Sequence, residues 1–195
     1  MATKTGTGLG GLIVVGLLVY GATQTEIGQQ IITGLGSIVD PAPADMLVPP
    51  DQVGRVKECT PEALTRDKRC KNLAILPVDA AKMPNIALHT KLAWAAGHPA
   101  LLHRGEPGSG TANRALACTA AIKAQLKPLS CDEYPHASSQ EGGANASTAG
   151  VPGGEQRIQG GTVNATYTVN NLQPGDEFLV VILNTAKIPA EFAKG

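Results

Sequence analysis

Three apolar patterns divide the chain. Leu9–Ala22 (LGGLIVVGLLVYGA) is an uncharged apolar run with Lys4 as its only positive flank. It is shorter than the about 20 residues that span a bilayer. It matches the apolar region of a signal peptide, although Tyr20 stands where a small residue is wanted before a cut after Ala22. Next, Ile27, Ile31, Ile32, Leu35, Ile38 and Val39 recur at three- and four-residue steps, the period of one helix face. This predicts an amphipathic helix, lying on a membrane surface or against the first segment, or else packed on the globular domain, with Gly28, Gly34 and Gly36 weakening it. Beyond the proline-rich Pro41–Pro50 (PAPADMLVPP) the pattern breaks into short elements.

Those elements alternate. Thr60-Pro61-Glu62 reads as a helix cap with proline in the first turn. Leu73–Val78 (LAILPV) reads as a strand that Pro77 confines to an edge. Pro84–Ala96 reads as a helix stopped by Gly97, Pro99–Arg104 as a short strand, and Thr111–Gln125 as an alanine-rich helix. After a turn at Lys127–Ser130 comes CDEYPHASSQEGG, and a loop with no apolar period follows to Pro152. Gly154–Tyr167 is expected to be helical, Gln173–Asp176 a turn, and Glu177–Leu183 (EFLVVIL) is the clearest strand. The sequence therefore predicts an α+β fold: a small antiparallel sheet with flanking helices, preceded by N-terminal apolar helices. Residues 1–40 form a signal or membrane-associated segment, 41–56 a stiff proline-rich linker, and 57–195 the globular domain.

Composition narrows the function. Lys and Arg total 16, as do Asp and Glu, which argues against a protein that coats nucleic acid by charge alone. Between Lys82 and Asn170 stand seven Lys/Arg and five Asp/Glu, with all four histidines, so a slightly basic face surrounds an acidic centre. Two Phe, three Tyr and one Trp leave little for base-stacking platforms. Nucleic-acid contact would then run through the backbone and be indifferent to sequence. The four cysteines form two couples, Cys59/Cys70 and Cys118/Cys131, neither with zinc-site spacing. Two local disulfides in an exported protein is the favoured reading, and four buried free thiols the alternative.

Three blocks carry the chemistry: LLHRG (Leu101–Gly105) followed by Asn113-Arg114…Cys118, then CDEYPHASSQEGG (Cys131–Gly143), then EQRIQGGT…GDEFLVVI (Glu155–Ile182). Together they resemble the NucA/NucB-type deoxyribonucleases, small exported bacterial enzymes that cut DNA without sequence preference. The resemblance covers about Met83 to Ile182. It implies metal-assisted phosphodiester hydrolysis on a β-hairpin and one helix that hold a single divalent ion. It implies Asp132 as general base and Glu155, Gln156 and Gln159 as metal ligands. Some family members carry Asn where Gln156 stands.

The residue types agree with that chemistry. Hydrolysis needs a base for water and a cation for the phosphate charge. Asp132, Glu133, Glu141 and Glu155 are four of the five acids between Lys82 and Asn170, and such oxygen ligands suit Mg²⁺ or Mn²⁺. Arg104 could pin a phosphate with two prongs, as could Arg157. His103 is a candidate at the end of an apolar strand. Each has a plain rival: a solvated turn for Asp132-Glu133, a flexible tip for Glu141-Gly142-Gly143, dipole stabilisation for Glu155, a satisfied core histidine for His103. His136 reads as packing or DNA-facing, and His89 and His98 as surface or core.

The expected protein is a monomeric DNase, secreted or membrane-tethered, with DNA phosphates as its partner. Membrane association would run through residues 9–39. Two other readings stand beside it: a nuclease toxin that requires an immunity protein, and a catalytically silent binding module on the same fold.

Overall fold

The computed structural model describes residues 44–194. The N-terminal apolar helices expected over Leu9–Val39 lie outside those residues. The chain divides after Pro41, and the second unit runs from Ala42.

The described chain holds β1 (Met46–Leu47), α1 (Val53–Val56), α2 (Pro61–Asp67), β2 (Arg69–Cys70), β3 (Leu73–Asp79) and α3 (Pro84–Ala95). It continues through β4 (Leu101–His103), α4 (Ser109–Ala117), α5 (Ala120–Leu126), β5 (Ser130–Tyr134), β6 (Ser147–Val151), α6 (Gly153–Val169) and β7 (Glu177–Leu183). The architecture is α+β, as expected, but the main sheet is mixed rather than antiparallel. β7 is its hub. It runs parallel to β3 along one edge, from Ala74↔Phe178 to Asp79↔Leu183. Along its other edge it pairs antiparallel with β4 at Glu177–Leu179 and with β1 at Ile182–Leu183. β2 lies outside β3.

After Glu177 the run FLVVIL is apolar throughout because both of its faces are covered. Leu179, Val181 and Leu183 pack with Met46, Val48, Val53, Val56, Leu64 and Ile75. Phe178, Val180 and Ile182 pack with Leu76, Val78, Met83, Ile86, Leu102 and Tyr134. The first face explains a departure from the sequence reading. A linker over 41–56 would leave that face in water, and Met46, Val48, Val53 and Val56 are instead buried in it. Burying a side chain of this size contributes roughly 1.5–3 kcal/mol, enough to draw a proline-rich stretch into the core. Pro77 obeys its rule locally: β2 reaches only Leu73 and Ala74, so the proline sits where β3 has no outer neighbour.

Two further departures have local causes. The helix expected over Thr111–Gln125 breaks into α4 and α5 at Cys118-Thr119. Cys118 is held by a disulfide to Cys131, and the Thr119 hydroxyl accepts from the Ile122 amide to start a new helix. The second disulfide joins Cys59 and Cys70, with Cα atoms 5.9 Å apart, against 6.0 Å for Cys118–Cys131. The stretch without an apolar period yields β6, which pairs with β5 from Ser130↔Val151 to Tyr134↔Ser147. This hairpin leads straight into α6.

The hairpin is anchored by Tyr134. Its hydroxyl donates to the Pro99 carbonyl at 2.8 Å and accepts from Trp94 Nε1 at 2.7 Å. Burial pushes the phenol well above its ordinary range. Among the described residues no helix is long and apolar enough to cross a membrane.

Candidate active site

Asp132 and Glu133 are neighbours on β5, and successive strand residues point to opposite faces. Both are buried, but against different elements. Asp132 turns toward α3 and α6. His89 Nδ1 donates to its Oδ2 at 2.7 Å, and Gln156 Nε2 donates to its Oδ1 at 2.6 Å. His89 Nε2 lies 3.0 Å from Ser147 Oγ. Asp132 is 1% exposed, so its oxygens are spent on neighbours and hidden from solvent.

Glu133 turns toward α4. Its Oε1 accepts from Arg114 Nε at 2.9 Å and Nη2 at 2.8 Å. Burial pushes the Glu133 carboxyl above its ordinary range, against the downward pull of Arg114 and of the Ala137 amide. Glu133 forms part of the wall of a pocket of about 330 Å³ with Arg114, His136, Gln156, Gln159 and Tyr167. Inside this wall two buried atoms have no hydrogen-bond partner, His136 Nε2 and Gln159 Nε2. Buried polar atoms are seldom left so, and orphans of this kind mark where a water, ion or substrate belongs. Burial lowers His136 to about 4, leaving a neutral imidazole at ordinary pH.

A larger groove of about 650 Å³ lies beside this pocket and shares Arg114, Ala137, Ser138 and Tyr167 with it. Arg104, Lys123 and the turn Gly105–Gly108 complete the groove. Arg104 lies over the Tyr167 ring, 5.3 Å from its centroid, and donates to the Leu172 carbonyl.

Three of the candidate residues have other work. Glu155 is turned away from the pocket. Its carboxylate accepts from the Asn85 amide at 2.8 Å, the Ile86 amide at 3.1 Å and Asn85 Nδ2 at 2.6 Å. It caps the start of α3, where Met83 offers no side-chain cap. The reason is positional: α6 begins beside the first turn of α3, whose open N–H groups favour a carboxylate. Glu141 accepts from His103 Nδ1 at 2.6 Å and from the His103 amide. That pair ties the EGG loop to β4 and lies outside both cavities. Gly142 serves the same loop, since a Cβ there would collide with the His136 carbonyl.

The site thus unites Glu133, Gln156 and Gln159 from the predicted set. It sets Asp132 directly behind them and moves Arg104 to the groove. Sequence reasoning missed His136 and Arg114 as members. Arg114 stood within a family-like block, and that was the available signal. For a metal ion, no group of three or more His, Cys, Asp or Glu is suitably placed among the described residues. A carboxylate with two carboxamide oxygens does suit Mg²⁺ or Mn²⁺, which retain several waters and bind through one or two carboxylates plus substrate phosphate.

No curated protein matches the chain. The family Deoxyribonuclease NucA/NucB has a model that matches residues 96–181, the stretch that runs from β4 into β7 and carries every pocket residue named above. That match supports placing the chain in the NucA/NucB-type deoxyribonuclease family.

Proposed function

We propose that the protein is an exported, metal-dependent endonuclease that cuts DNA through its backbone without reading sequence. The observation that carries this is a groove lined by Arg104, Arg114 and Lys123 that shares a wall with a pocket holding a buried carboxylate and an unpartnered imidazole nitrogen. The cations supply phosphate affinity, and the pocket supplies the groups hydrolysis needs. Two disulfides agree with an oxidising destination.

In this reading Glu133 and the carboxamide oxygens of Gln156 and Gln159 would hold the divalent ion. The ion, when bound, offsets charge developing on the phosphate. Arg114 fixes Glu133 through two hydrogen bonds and keeps its remaining nitrogen for a phosphate oxygen. His136, neutral and with Nε2 free, accepts the proton of the attacking water. Asp132 holds Gln156 and His89 in place from behind. The sequence expectation that Asp132 is the base becomes the rival assignment.

The test is plasmid nicking by the purified chain. Nicking in Mn²⁺ or Mg²⁺ is expected to stop in excess EDTA and to fall steeply as salt rises. Full activity in EDTA would remove the metal. No cleavage with either metal would leave a silent module on this fold.

A further inference from the structure

The larger groove has a wall of its own beyond the residues it shares with the pocket. Its wall includes the Arg104–Gly108 turn, the first turn of α4, and Lys123 on α5, besides the residues it shares with the pocket. α4 is nine residues long and is preceded by Gly108, which has φ of +87° and no side chain to cap it. Its first turn carries no acidic residue, so the positive end of the helix opens on the groove through Gly108, Gly110 and Thr111. Three cations share this wall with one anion, Glu106 at the rim. Arg114 is committed to Glu133. Arg104 is held flat against Tyr167 and the Leu172 carbonyl, so its position is preset. Lys123 is exposed.

We propose that this groove is a separate subsite for a second backbone phosphate of the same DNA strand, bound by Arg104, Lys123 and the α4 N-terminus. It rests on the nuclease reading and adds to it a division of labour. The small pocket cuts, and the groove holds the strand beside the cut. Substrates with a single phosphodiester cannot occupy both places. Glu106 then weakens strand binding, since it faces a phosphate of like charge.

The experiment compares the full chain with Lys123→Ala and Lys123→Glu, using Lys91→Ala on the exposed side of α3 as the charge-matched control. Cleavage of long DNA is measured beside cleavage of bis(p-nitrophenyl) phosphate, in Mn²⁺. Binding of a fluorescein-labelled duplex is measured by anisotropy in EDTA across a salt series. For Lys123→Ala, KM on DNA should rise roughly three- to tenfold with kcat unchanged, and the salt slope of binding should fall by about one. Lys123→Glu should go further in the same direction. Rates on the small diester should match the parent. Equal loss on both substrates, or an unchanged salt slope, would overturn the subsite. The binding arm separates the two claims: a reduced slope in a chain that cuts nothing would keep the subsite and sink the nuclease reading.

Discussion

Asp132 and Glu133 are consecutive carboxylates on one strand, yet the fold gives them different tasks. Asp132 has both oxygens engaged by His89 and Gln156 and almost no exposure. Glu133 is equally buried but lines the cavity that meets the basic groove, and its charge is shared with a largely exposed arginine. The contrast teaches that an acidic pair in a motif is one site in sequence and two in space. The pleat decides which carboxylate faces the cavity and which holds the hairpin to its neighbours.

Replacing each acid by its amide sharpens this contrast most. Glu133→Gln should lower the cleavage rate at least a hundredfold, the scale for losing a group used in the chemistry, with little change in melting. Asp132→Asn should instead destabilise by roughly 1–3 kcal/mol, because its new N–H₂ faces donors on both sides. Rates in a Mn²⁺ titration and thermal melts of both variants decide it. An Asp132→Asn chain that melts like the parent but is inactive would return the base role to Asp132.

His136 gives the next largest effect. Its folded-state value of about 4 lies below the ordinary 6.5. Between these pH values the unfolded chain binds a proton that the native site refuses. Its contribution is therefore fully present above about pH 6.5 and lost as pH falls toward 4, a span worth about 3 kcal/mol. His136→Phe keeps the aromatic packing against Tyr134 and should flatten the acid limb of a stability-against-pH curve while ending catalysis. An unchanged acid limb would place the titrating group elsewhere.

Glu155 gives the smallest effect and bears on the opposite side of the hairpin. As a helix cap, Glu155→Gln should cost about 1–2 kcal/mol and leave the metal requirement as it was. A rise in the Mn²⁺ concentration needed for half-maximal rate would show that Glu155 reaches the metal after all.

The parts of the fold that the sequence made legible have their causes nearby. Thr60 caps α2, accepting from Ala63; Gly97 ends α3 at φ of +95°; the cysteine couples close within their own loops. β7 was readable because it is apolar on both faces. β6 was not, because STAGV carries only two buried positions and owes its strand to β5. The inclusion of Met46 and Val48 was hidden for a similar reason: only the apolar face of β7, over a hundred residues away, calls them in. For the site, the motif located the strand, the loop and the helix. It could not show which way each side chain points. Glu155 and Glu141 look like ligands in a list of acids and act as braces in three dimensions.

The parallel pairing of β3 with β7 also sets the order in which this molecule can come into being. Ala74 meets Phe178, a separation of 104 residues, whereas the two disulfide loops span 11 and 13. Local loops close early at low entropic cost, and the centre of the sheet must wait for the last strand. Until Glu177–Leu183 has been synthesised, β1, β3 and β4 have no hub, and the floor beneath the hairpin does not exist. The site above that floor therefore takes shape only after β7 has been made and has paired with β3.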